Sequence, residues 1–354
     1  FADDSKISFL SKYSFYRCTI YEINFPPSLK CVSREFFSFV RCIKVNLSTD
    51  NIYFKYIDSK QELIATSSKV QKMIDKYEMQ SRMKNPRKLL FGEENTNDDI
   101  EGQDLNNDFD VLFFVNRFAK KVVIPSSIKI IDSGSFCHCF NLKTIEYEDI
   151  NQITTIEANA FENCSFETFL FPPNIKTIEK CTFYRCDSLF EIKFTEDSKL
   201  ETIRNDAFKE SALRKITFPP KLANLESKWH FNTDFLNEIE ISEKNRNFAY
   251  LEGYQKNVIL SKNDDKSDIF DVICFVSCDL KKIKIPSFIK KIGPYSFCHR
   301  FNIKLVEFES NSSLISIEDG AFYHSGLKKI SIPSNIKCID TNAFYMCLNL
   351  VDAD

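Results

Sequence analysis

One aromatic position recurs along the chain and decides what it can fold into. Phe15 and Phe37, then Phe136, Phe161, Phe183 and Phe208, then Phe297, Phe322 and Phe344, fall 22 or 25 residues apart within each run. Pro26, Pro125, Pro172, Pro219, Pro286 and Pro333 stand eleven residues from members of the series. A fixed period in this range is the mark of stacked structural repeats. It also accounts for the composition, in which 35 of 354 residues are Phe.

The text between these landmarks is nearly constant. Leu213 to Phe218, Leu280 to Ile285 and Leu327 to Ile332 follow Leu-x-x-Ile-x-Ile or a close variant. Apolar residues at its fourth and sixth positions alternate as a half-buried strand requires. The following proline cannot donate to a ladder, so it ends the strand. An Ile-Lys-x-Ile bend comes next, then Ala-Phe or Ser-Phe on the outer side of the coil. One coil cannot bury its own apolar edge, whereas a stack of coils forms a continuous core. Each buried Phe contributes about 1.5–3 kcal/mol of transfer free energy.

A larger duplication sits above the repeat. Residues 109–189 align without a gap to 270–350 at an offset of 161, with Phe136-Cys137-His138 matching Phe297-Cys298-His299. Upstream the offset rises to 194, where Phe54 meets Phe248, so the first copy carries 33 extra residues within 68–108. The expected division is truncated repeats over 1–47, a β-hairpin and charged insertion over 48–108, a repeat block over 109–241, a hairpin segment over 242–269, and a second block over 270–354 that also ends within a repeat. Phe54 to Ile64 and Phe248 to Leu260 read as the hairpins, with Glu252-Gly253 near the second turn. In the insertion, Val70, Met73, Ile74 and Tyr77 have helical spacing, and a run from Glu93 to Asp104 is acidic. This predicts a short helix followed by a disordered loop.

Composition narrows the function classes. A net charge of -3 is no electrostatic footprint for nucleic acid. The longest purely apolar run is Val111 to Val115, far below a membrane span, so no membrane insertion is expected within the chain. Only 7 Gly and 11 Pro argue against linker-like disorder. The thirteen cysteines are too sparse for a disulfide framework, and the redox compartment stays open.

These motifs resemble the BspA-type leucine-rich repeats, rich in Ile-Pro-x-x-Ile and Ala-Phe-x-x-Cys. The resemblance implies an α/β-type leucine-rich repeat solenoid. A parallel strand sheet would line its concave face, short helices or turns its convex face, and β-hairpins would interrupt the repeat blocks. It also implies a surface or secreted protein that contacts host matrix or cell-surface proteins. An intracellular scaffold, recruiting a partner through Arg87-Lys88-Leu89-Leu90-Phe91 of the insertion, is the alternative.

Candidate sites follow from the repeat. Cysteine recurs three residues after the Phe, at Cys18, Cys139, Cys164, Cys186 and Cys347, where a side chain pointing inward satisfies backbone groups. Val40, Ser211, Arg300 and Ser325 fill the same slot elsewhere. Cys137-His138-Cys139 could suggest a metal, but its duplicate Cys298-His299-Arg300 lacks a ligand. No nucleophile elbow, zinc-protease helix or phosphate loop occurs. No catalytic, metal or cofactor site is therefore expected. Asn46, Asn163 and Asn311 begin glycosylation sequons. The third and fifth positions of each strand should face the concave surface, where they comprise seven Lys, six Glu and no aromatic residue. The expected protein-binding positions are Lys121, Val123, Thr144, Glu146, Thr168, Leu170, Glu191, Lys193 and Lys215. An apolar strip at Val123, Thr144, Thr168 and Leu170 is the expected contact patch.

Overall fold

The computed structural model describes residues 1–2, 4–11, 14–33, 36–58, 60–70, 109–264 and 267–353. The expected acidic loop, the docking motif and all but the first residues of the expected helix lie outside these. The chain divides into two compact units, Phe1–Cys164 and Ser165–Asp354.

Each coil of either unit contributes two strands. In the second unit the longer strands Thr168–Leu170, Glu191–Lys193, Lys215–Phe218 and Glu238–Ile241 form one parallel sheet. The two-residue strands Thr177–Ile178, Thr202–Ile203 and Asn224–Leu225 form another. The pattern then breaks. Phe248–Tyr250 and Val258–Lys262 pair antiparallel, and Val258–Lys262 pairs antiparallel with Phe270–Val276. From Phe270–Val276 a short-strand parallel ladder resumes through Lys291–Ile292, Ser316–Ile317 and Cys338–Ile339. The accompanying long strands are Lys282–Ile285, Leu305–Phe308, Lys329–Ile330 and Asp352–Ala353. The first unit repeats this plan. Phe54–Tyr56, Leu63–Thr66 and Val111–Val115 form its antiparallel break, and Val111–Val115 leads into parallel pairing with Ile130–Ile131.

The expected solenoid of stacked parallel strands is present, but its outer side holds strands and turns with little helix. Among the described residues helix is confined to Phe36–Phe39, a turn at 68–70 and a 3-10 turn at Ile150–Gln152. Backbone geometry around the repeated Phe explains this. The residues two before and two after it are left-handed in coil after coil, as at Cys181 and Arg185 around Phe183, and at Asn342 and Met346 around Phe344. A left-handed residue cannot propagate a right-handed helix. Thr-Ile and Lys-Ile pairs on the same side favour extended structure.

The aromatic column forms within the stacks. Phe136 lies 4.9 Å from Phe161, Phe183 5.4 Å from Phe208, Phe297 4.6 Å from Phe322, and Phe322 5.2 Å from Phe344. The Phe amide donates to the carbonyl of the small residue preceding the next Phe, as from Phe183 to Ala207 and from Phe322 to Ala343. In the coil after Phe208, His230 holds the Phe position and Trp229 the Ala position, and both are buried. The cysteine slot behaves as its spacing suggests. The Cys164 thiol donates to the Phe136 carbonyl at 3.1 Å, and the Cys347 thiol to the Phe322 carbonyl at 2.9 Å. No disulfide joins any of the thirteen cysteines.

Close coil packing leaves no room at Gly326, where an added Cβ would sit 1.9 Å from the Phe301 carbonyl oxygen. Gly326→Ala is expected to cost about 3 kcal/mol. Gly253→Ala meets open space but a φ of +83°, and is expected to cost about 1 kcal/mol. Urea unfolding of both variants checks the order.

Candidate functional site

The solvent face of the long strands is set by alternation. In the first unit Val122 and Ile124 point inward and are buried, so Lys121 and Val123 emerge into solvent. Thr144 pairs with Lys121 and Glu146 with Val123 on the neighbouring strand. In the second unit Ile192 and Ile216 are buried, while Thr168 and Leu170 register against Glu191 and Lys193, and Glu191 against Lys215. All nine sequence-predicted residues thus occupy outward positions, four in one unit and five in the other.

Charges on this face pair across coils. Lys121 Nζ lies 2.7 Å from Glu146 and Lys44 2.9 Å from Glu22 on the neighbouring coil, while Lys193 lies 3.2 Å from Glu191 on its own strand. Lys215 sits among Glu191, Glu238 and Glu240, at 3.9, 3.1 and 3.6 Å. A hydrogen bond to Glu238 raises the Lys215 pKa above the ordinary lysine value against some loss of hydration, helped by the other two carboxylates. Exposed pairs of this kind contribute about 0.2–1 kcal/mol each. Two apolar side chains interrupt the paired charges: Val123 is 42% exposed and Leu170 45% exposed.

Aromatic residues missed by the sequence reading border this face. Phe190 and Phe235 are exposed, and the Arg214 guanidinium lies 5.8 Å from one ring and 5.4 Å from the other. In the first unit Tyr21 lies 6.3 Å from Phe118, both exposed. Phe190 directly follows the core residue Leu189, so in the linear sequence it reads as part of the buried set. Only its position one step before the strand could have signalled exposure.

A buried polar cluster lies elsewhere in the second unit. His299 Nδ1 approaches Asp234 Oδ1 at 3.5 Å, and its ring lies 4.8 Å from that of His324. Burial, then repulsion from His324 and Arg300, lowers the His299 pKa to about 4. The unfolded chain, with an ordinary histidine near 6.5, therefore takes up this proton first. Stability from His299 is full above about pH 6.5 and is lost as pH falls toward 4. Burial raises the Asp234 pKa, which acts in the opposite sense. His299→Gln is expected to remove about 1–2 kcal/mol of the loss between pH 7 and 4, measured by urea unfolding across that range. In the first unit burial opposes ionisation of Cys139, but the Cys164 hydrogen bond and the Arg117 guanidinium outweigh it and bring the thiol down to about 7.

Among the described residues no group of three or more His, Cys, Asp or Glu is placed to hold a metal ion. No helix among them is long and apolar enough to cross a membrane.

Comparison with known proteins extends this picture. The pneumococcal vaccine antigen PcpA superposes with a TM-score of 0.56 at 23% identity, over 70% of this chain and 66% of that one. A leucine-rich repeat protein from Eubacterium ventriosum gives 0.46 at 20%, over 66% and 53%. A leucine-rich cell surface protein from Faecalibacterium prausnitzii gives 0.43 at 17%, over 70% and 83%. The chain spans about two thirds of the first of these structures and about half of the second. None of the curated proteins matches its sequence. The BspA type leucine-rich repeat region matches residues 3–74, 110–250 and 268–354 in six copies. With the repeat period, the stacked parallel ladders and this match over most of its length, the chain belongs to the BspA-type leucine-rich repeat family.

Proposed function

We propose that this chain is a non-catalytic protein-binding and adhesion module whose contact surface is the solvent face of the long strands. Lys121, Val123, Thr144 and Glu146 supply it in one unit, and Thr168, Leu170, Glu191, Lys193 and Lys215 in the other. The observation that carries the reading is the exposure of Leu170 and Val123 on sheets whose neighbouring charges are already paired. Paired charges tune specificity, and desolvated apolar and aromatic anchors supply affinity. The Phe190–Arg214–Phe235 group adds residue types enriched at such anchors.

The family resemblance favours a host matrix or cell-surface protein as partner and an extracellular location. Binding to immobilised matrix proteins and to intact host cells tests this. Leu170→Lys and Val123→Lys are each expected to weaken binding at least tenfold while unfolding in urea stays unchanged. Unaltered binding by both variants removes the assignment.

Thirteen cysteines without a disulfide between them favour a second reading, an intracellular scaffold, because thiols stay reduced in the cytosol. Surface biotinylation of intact cells separates the two: labelling supports adhesion, and its failure for an abundant protein supports the scaffold.

A further inference from the structure

The short-strand ladder of the second unit stops at Asn224–Leu225 with its next acceptors unused. Thr202 and Arg204 donate their N–H groups to the carbonyls of Lys176 and Ile178, and Asn224 and Glu226 donate to Glu201 and Ile203. The next acceptors in this series are the carbonyls of Ala223 and Leu225. Among the described residues no hydrogen bond reaches either. After the long strand Glu238–Ile241, Phe248–Tyr250 opens a separate sheet and is terminal there, with Val258–Lys262 its one neighbour. Between the two edges lies a cleft of about 610 Å³, bounded by Asn224, Leu225, Trp229, Asn247, Phe248 and Cys274 among others.

The duplication shows how this place is otherwise filled. Aligning Phe25-Pro26-Pro27 with Phe218-Pro219-Pro220 makes Cys31 and Val32 equivalent to Asn224 and Leu225, and Phe36 to Trp229. Tyr53 and Phe113 correspond to Asn247 and Cys274. In the first unit Cys31, Val32, Phe36, Tyr53, Phe54 and Phe113 form one buried cluster, which includes the fully buried Val70 from the start of the insertion. The second copy lacks the insertion and carries smaller side chains at both positions. Its cleft is open where the first copy is packed.

We propose that this cleft binds an uncharged extended segment of a partner protein. The segment adds as a further strand to Asn224–Leu225 and places one large apolar side chain against Trp229 and Phe248. Two carbonyls two residues apart require N–H donors at the same spacing, which an extended peptide presents along one edge. A helix cannot do so, because its N–H groups are consumed internally. Trp229, Phe248 and Val272 are apolar and nearly buried, so a side chain that covers them leaves water. The charged rim is already neutralised: Arg204 pairs with Glu226 at 3.0 Å and Lys262 with Asp268 at 3.6 Å. Recognition therefore rests on backbone pairing and side-chain shape. The site is separate from the long-strand face and does not depend on it.

The probe is a random dodecapeptide library displayed on phage, selected on the full chain and counter-selected on Asn247→Tyr/Cys274→Phe. That variant restores the side chains the first copy carries. Selected peptides are expected to bind the wild-type chain at least tenfold more tightly than the filled variant. N-methylation of alternate residues should cost at least tenfold in affinity, and methylation of the intervening residues little. Thermal unfolding of the filled variant at or above the wild-type midpoint establishes its fold, and Cys274→Phe alone replaces it if the double variant fails. No selectable peptide, equal binding to the filled variant, or indifference to the methylation pattern overturns the proposal.

Discussion

Arg300→Cys is expected to destabilise the chain by about 3 kcal/mol, and adding Cys278→Arg to recover more than half of that loss. Arg300 is fully buried; its Nε donates to the Val276 carbonyl at 2.5 Å and its Nη1 to the Thr233 carbonyl at 3.3 Å. The guanidinium lies 5.1 Å from the Phe275 ring centroid. Truncation removes the guanidinium donor from both carbonyls, leaving Thr233 only the Leu236 amide at 3.3 Å, and empties the space over the Phe275 ring; an unmade buried bond costs about 1–3 kcal/mol. The rescue follows from the first copy. There Arg117 donates to the Val115 carbonyl at 2.9 Å, to the Gly134 and Ser135 carbonyls, and lies 4.5 Å from the Phe114 ring centroid. Val115 and Phe114 are the equivalents of Val276 and Phe275, yet Arg117 is the equivalent of Cys278, and Arg300 that of Cys139. The two copies place a guanidinium over the same ring and on the same carbonyl from exchanged positions. A double-mutant cycle in urea checks the coupling. Additive losses in the two single variants and the double variant contradict the exchange.

Phe322→Ala is expected to cost about 3–5 kcal/mol, whereas Phe301→Ala, at a 43% exposed position, should stay within about 1 kcal/mol. Phe322 stacks between Phe297 at 4.6 Å and Phe344 at 5.2 Å, nearly parallel to the second. Truncation opens a cavity between two coils and removes contacts on both sides. Because each coil touches only its neighbours, the damage should concentrate near the site. Amide hydrogen exchange is expected to rise first in 291–344 and to stay near wild-type values in 168–218. A uniform rise across the second unit would show that its coils unfold as one block.

The repeat was legible because it imposes periodicity on the side chains it needs. Phe136, Phe161 and Phe183 each fill the same internal position, so their spacing in the sequence is the length of a coil. The Cys164 and Cys347 thiols were legible for the same reason: their slot recurs with the coil and points at backbone carbonyls, of the preceding coil for these thiols and of its own coil for Ser211. Outward strand positions also followed from alternation, and Lys121, Leu170 and Lys215 emerge where the period of two puts them. Of the expected short helices or turns, the described residues of the outer side hold mostly turns and short strands, because left-handed residues such as Cys181 and Arg185 carry no compositional mark. Phe190 was invisible as a surface residue, since an apolar side chain beside Leu189 has the same letter whether buried or exposed.

The amino-acid sequence by itself determined the coil, its period and the inward or outward sense of each strand residue, since these depend on local alternation and on one apolar column. Tertiary structure alone decided where ladders end, which carbonyls Arg117 and Arg300 reach, and that one copy fills a cleft the other leaves open. Those outcomes depend on distances between residues far apart in the chain, and such distances are set by packing rather than by any local pattern.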